Sequence, residues 1–112
     1  MIAYLDGVVT DETADSIVVV NNGLGYLVYS AARATPLWIH SITNAETGTK
    51  LYGFVSKADR AFFVQLLSVD GVGPKTAMAI VSSGAALSIP ALCAVKGVGA
   101  KTAAKICAEL SP

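Results

Sequence analysis

The chain has 112 residues, 54% of them apolar and only 14% charged, which is enough apolar material for one compact core or two small ones. No apolar run approaches a membrane span, and Met1-Ile2-Ala3-Tyr4 leads into Asp6 rather than a basic and then apolar leader, so neither a span nor a signal peptide is expected. Net charge is zero, which taken alone argues against nucleic acid. The distribution argues otherwise. Residues 1–30 carry Asp6, Asp11, Glu12 and Asp15 with no Lys or Arg, whereas residues 71–112 carry Lys75, Lys96, Lys101 and Lys105 against Glu109 alone. So sparsely charged a surface also predicts burial in an oligomer.

From Met1 to about Phe54 the texture is β. Ile2–Val9 and Ser16–Val20 read as strands joined by a polar turn around Asp11–Asp15, and Asn21-Asn22-Gly23 offers a turn with positive-φ candidates. Gly25–Tyr29, Leu37–Ile42 and Thr49–Phe54 are further strands, the last two separated by a turn over Thr43–Gly48. His40 reads as a strand residue. Five or six short strands in this length predict a small closed barrel of the OB type over residues 1–55.

Residues 56–112 switch to a helical period. Ser56, with Asp59 three residues on, predicts an N-cap for a helix from Lys57 to about Val69, expected to be buried on more than one side. Further helices are expected over Pro74–Ser82, roughly Leu87–Val95, and after Gly99. Cys93 and Cys107 fall on apolar helical stretches and read as free core thiols. Nothing clusters with them as metal ligands, and no metal or cofactor is expected.

Two near-identical stretches organise this half: Asp70-Gly71-Val72-Gly73-Pro74-Lys75-Thr76 and, 26 residues on, Lys96-Gly97-Val98-Gly99-Ala100-Lys101-Thr102. Each lies between apolar helical segments. Gly71, Gly73, Gly97 and Gly99 allow positive φ and, lacking Cβ, let a ligand approach the main chain closely. The following helix presents unsatisfied N–H groups at its start, which attract an anion. Lys75 and Lys101 add mobile positive charge, Thr76 and Thr102 add hydroxyls, and phosphate is the natural ligand. A Walker loop needs four residues between its glycines, and a dinucleotide fingerprint needs a preceding strand and a third glycine; neither is present. The spacing is that of a doubled helix-hairpin-helix, a binder of the DNA backbone that reads no base. Gly71, Val72, Gly73, Lys75, Thr76, Gly97, Val98, Gly99, Lys101 and Thr102 are therefore the candidate DNA-binding residues.

The opening Met-Ile-x-x-Leu-x-Gly, the turn Gly23-Leu24-Gly25-Tyr26, the junction Leu51-Tyr52-Gly53-Phe54 and the first hairpin stand in an order that resembles the bacterial RuvA family over nearly the whole chain. The resemblance implies an α+β protein, β then α: an OB-like barrel followed by an all-α tandem helix-hairpin-helix domain. It implies a cytoplasmic, non-catalytic homotetramer, or an octamer of two, that binds Holliday (four-way) junction DNA without regard to sequence. The junction would be held open and planar for branch migration in recombination and repair. It also implies an acidic pin on the turn between the last two barrel strands, where Glu46 stands between Ala45 and Thr47. The resemblance also implies a RuvB-type ATPase motor as partner, docking on a C-terminal domain that is expected to be absent here. The segments Ser30–Pro36 and Ser83–Lys96 are shorter than the family's. Three other readings are a generic hairpin DNA-binding module, a fragment of a hairpin-containing repair glycosylase or nuclease, and a barrel binding single strands. The glycosylase lacks a suitable catalytic acid apart from Glu109, and the acidic residues 1–30 count against single strands.

Overall fold

A computed structural model of the chain describes residues 1–111. It divides into two compact units, Met1–Arg60 and the residues from Ala61 onward.

The first unit is a six-stranded sheet of β1 (Tyr4–Leu5), β2 (Val8–Glu12), β3 (Ser16–Asn21), β4 (Leu24–Tyr29), β5 (Leu37–Asn44) and β6 (Gly48–Phe54), paired in the order β1-β5-β6-β4-β3-β2. All pairs are antiparallel except β4 with β6. The two ends of that order, β1 and β2, are joined by Asp6 and Gly7 alone, so the sheet has to curl until its edges meet. That is the OB-type barrel.

The expected single strand from Ile2 to Val9 is thus broken. Its first part pairs with β5, its second with β3, and Gly7 sits at the bend, where an added Cβ would collide with the Val20 carbonyl oxygen. Thr35 fastens the bend: its hydroxyl donates to the Gly7 carbonyl (2.6 Å) and accepts from the Gly7 N–H (3.3 Å). Alternation sorts the side chains, with Leu5, Ile17, Val19, Val28, Leu37, Ile39 and Leu51 forming the barrel core. Buried Ser30 is satisfied, donating to the Gly53 carbonyl (2.8 Å) and accepting from the Ala32 N–H (3.1 Å). Asn22 and Gly23, at φ 52° and 79°, make the two-residue turn between β3 and β4, whose twist suits the hairpin.

Helix α1 (Lys57–Leu67) starts in this unit, and Ser56 Oγ accepts the Asp59 N–H at 3.1 Å, the expected cap. Its first turn is tied to the barrel by cations over one ring. Lys57 Nζ lies 4.7 Å and the Arg60 guanidinium 5.3 Å from the Trp38 ring centre, and Arg60 donates to the Ala3 carbonyl.

The second unit holds the rest of α1, then α2 (Pro74–Ser83), α3 (Ile89–Cys93) and α4 (Ala100–Leu110). The 26-residue repeat extends to its core: Leu66 and Leu92, Val69 and Val95, Val72 and Val98, Ala77 and Ala103, Ile80 and Ile106 are all buried. A repeated sequence has folded into a repeated packing. Two expectations are corrected. Within α1 only Phe63 and Leu66 are buried, and Val64 is exposed, because the apolar positions resolve onto one stripe. Cys93 is exposed and Cys107 half-buried, because Leu92 and Val95 take the inward positions beside Cys93. Helix α3 is also shorter than expected: Ser88 Oγ caps it through the Ala91 N–H, and Pro90 occupies its first turn.

Candidate nucleic-acid interface

Each hairpin is built in the same steps. The preceding helix ends in a tight turn, with the Val69 N–H bonded to the Leu66 carbonyl in the first copy and Val95 to Leu92 in the second. Gly71 and Gly97 then take φ of 89° and 92°, a left-handed backbone that reverses the chain. Val72 and Val98 turn inward and are buried, and each N–H is spent on the carbonyl of Val69 or Val95, both at 3.1 Å. These two valines anchor the hairpin. What they offer a ligand is the position of the glycines on either side.

Gly73 and Gly99 are the N-caps of α2 and α4, with φ, ψ of −93°, 175° and −89°, 172°. Neither helix has a side-chain cap. The N–H groups of the first turn therefore have no partner within the helix, and no capping oxygen covers them. Pro74 sits where an N–H would be surplus. No heavy atom lies within 4 Å of the place a Cβ would occupy on Gly71, Gly73 or Gly99. The glycines thus border open space, the room a phosphate needs. Lys75 and Lys101, second in their helices, are exposed beside that space; Thr76 and Thr102 follow, half-buried.

Thr76 and Gly97 show that the copies lie close together: Thr76 Oγ1 is 4.0 Å from the Cβ position of Gly97. A second link was not foreseen, an ion pair of 3.7 Å between Lys105 Nζ on α4 and Asp70 Oδ2 in the first hairpin. The sequence signal for it is faint, since it joins residues 35 apart in different repeats.

Glu46 lies elsewhere, at the tip between β5 and β6. Asn44 and Gly48 are paired, the Asn44 side chain accepts the Glu46 N–H at 2.8 Å, and Gly48 takes φ of 77°. The Glu46 carboxylate contributes nothing to this turn and stands exposed. The tip thus presents one carboxylate, that of Glu46, outside the turn's own hydrogen bonds.

Comparison with known proteins accounts for both units. The RuvA N-terminal domain family matches residues 1–53, and the SAM-like helix-hairpin-helix tandem family matches residues 63–111. The RuvA subunit of the Holliday junction branch migration complex from Lactobacillus helveticus is 38% identical over 126 residues, covering 98% of this chain and 64% of that protein. Its counterpart in Chloroflexus aggregans is 38% identical and covered to 66%, and that of Methylocella silvestris is 39% identical and covered to 61%. The chain thus spans roughly two-thirds of the length of these relatives. The matched span of 126 residues exceeds the 112 of this chain, so the L. helveticus protein carries internal residues that this one lacks. With its barrel matched by the RuvA N-terminal domain model, its helices by the hairpin tandem, and relatives of 38–39% identity over 98% of its length, this chain belongs to the RuvA family.

Proposed function

We propose that this chain binds the phosphate backbone of DNA through both hairpins, without reading bases, and that its preferred ligand is a four-way (Holliday) junction. The carrying observation is the duplication. Two left-handed glycines each lead into an uncapped helix start, with a glycine at the N-cap and a lysine at the second helical position. Helix-start amides and a nearby ammonium bind phosphate oxygens irrespective of base. One hairpin gives a weak grip; two on one body fix an orientation on the duplex.

On this reading the binding residues are Gly71, Gly73, Lys75, Thr76, Gly97, Gly99, Lys101 and Thr102, with Val72 and Val98 holding the hairpins in shape. A homotetramer, or two stacked as an octamer, presents four copies to the four arms. Glu46 from each copy forms a central acidic pin that repels phosphate and keeps the strands apart at the crossover. The chain itself is non-catalytic, acts in the cytoplasm, and serves a complex whose RuvB-type ATPase supplies the work of branch migration.

The test compares a four-way junction with a linear duplex of the same arms in a gel-shift titration, alongside the solution mass. Strong junction preference with a tetrameric mass is expected. Equal affinity for the two DNAs, or a monomeric mass, would leave only a generic hairpin binder. Gly73→Ala and Gly99→Ala refine the test, since both glycines have ordinary backbone angles and open space at Cβ. Such proteins should fold normally and yet lose DNA affinity, because the added methyl occupies the phosphate's approach.

A further inference from the structure

The 26-residue repeat sets unlike charges at like positions. Asp70 immediately precedes Gly71 in the first hairpin, and Lys96 immediately precedes Gly97 in the second. Because the two hairpins share their glycine angles, their turn hydrogen bonds and their buried valines, these side chains leave equivalent points of the backbone. Asp70 is 94% exposed and lies 3.7 Å from Lys105 of α4. The residue of α2 that corresponds to Lys105 is Ala79, so the repeat supplies no partner of that kind for Lys96. Among the described residues Lys96 makes no ion pair and is exposed. The rim of the first hairpin therefore carries Lys75, Asp70 and Lys105, a net of one positive charge. That of the second carries Lys96 and Lys101, a net of two.

We infer that the two hairpins hold DNA phosphate unequally: Lys96 makes the second the stronger grip, while Asp70 weakens the first by repelling phosphate and by occupying Lys105. The inference rests on the backbone-binding reading above and adds to it a ranking of the two grips and a residue that opposes binding. The physical basis is local. An exposed carboxylate beside a phosphate site cancels part of the field of neighbouring lysines over about a Debye length, roughly 10 Å at moderate salt. A lysine already paired with a carboxylate must give up that pair before it displaces a counterion from DNA. Removing the acid removes both penalties.

The experiment is a fluorescence-anisotropy titration of the whole chain with a labelled linear duplex over a salt series, in which thermal melts check that each variant folds. Asp70→Asn is expected to bind about two- to threefold more tightly, with a steeper salt dependence as Lys105 is released to phosphate. Lys96→Ala is expected to bind about threefold more weakly and to flatten the salt dependence by about one unit. Adding Lys105→Ala to Asp70→Asn should return affinity towards the starting value, because the rim again nets one positive charge, whereas Lys105→Ala alone leaves Asp70 uncompensated and should bind more weakly. Unchanged or weakened binding by Asp70→Asn overturns the inference. So does a neutral Lys96→Ala when Lys101→Ala weakens binding, and in that case the backbone reading stands. If Lys75→Ala, Lys96→Ala and Lys101→Ala are all neutral, the backbone reading fails and this inference with it.

Discussion

Gly71 and Gly97, 26 residues apart in the chain, hold the same left-handed backbone, at φ 89° and 92°. Neither is crowded: a Cβ on Gly71 meets nothing within 4 Å, and one on Gly97 meets only Thr76 Oγ1 at 4.0 Å. The requirement for glycine is conformational. A β-branched residue here costs about 1–3 kcal/mol in backbone strain. Gly71→Val and Gly97→Val should therefore lower the melting temperature by several degrees, while Asn, which tolerates this region, costs less. Both valine variants should lose more DNA affinity than loss of a single lysine, because turn and phosphate approach are disturbed together. Undiminished binding by a folded Gly97→Val protein would remove the second hairpin from the interface.

Lys75 and Lys101 are exposed at the second position of their helices. Each should act as a point charge towards phosphate. Lys75→Ala and Lys101→Ala should leave stability unchanged, weaken binding to all DNA sequences alike, and reduce the salt dependence by about one unit each. Losses that vary with DNA sequence would contradict backbone recognition.

Gly53 is a different kind of glycine. A Cβ there would lie 2.7 Å from Val28 Cγ1 and 2.9 Å from Leu37 Cδ1, inside the barrel. Overpacking a filled core costs about 1–3 kcal/mol. Gly53→Ala should lower the melting temperature while leaving the hairpins intact, so DNA affinity measured well below the melt should hold.

Glu46 stands clear of the turn that carries it, because the bond to Asn44 uses its main chain. Glu46→Gln should fold with unchanged stability. If its carboxylate repels phosphate, the variant should bind linear duplex more tightly and prefer the junction less. An unchanged ratio of the two affinities would dismiss the pin.

His40 predicts a pH dependence of stability. Burial, and next the nearby Arg60 charge, lower its pKa below the ordinary value of 6.5. The unfolded chain therefore takes up the proton first on acidification. The sign follows: the full contribution is present above about pH 6.5 and is lost as pH falls through the lower folded-state pKa. Melts from neutral to mildly acidic pH should show a fall in stability that His40→Gln reduces. An equal fall in both proteins would place its origin elsewhere.

Local rules made much of this molecule legible before its fold was known. The Asn22-Gly23 turn, the Ser56 cap and both Gly-Val-Gly hairpins depend on angles and hydrogen bonds within a few residues, and all three kinds appear where the residue types require them. The placement of Gly73, Lys75, Gly99 and Lys101 at two helix starts was legible for the same reason, because it depends on neighbouring residues alone. What only the tertiary structure decided depends on residues far apart in sequence. The break at Asp6-Gly7 is set by pairing with two different strands, and Gly53 is required by the approach of Val28 and Leu37. Cys93 faces outward because Leu92 and Val95 already fill the inward positions, a choice that apolar periodicity leaves open. Asp70 meets Lys105 only because two repeats pack together, and no spacing rule links residues on different repeats. Short-range geometry is written in neighbouring residues, whereas packing selects among faces and partners that the sequence alone leaves equivalent.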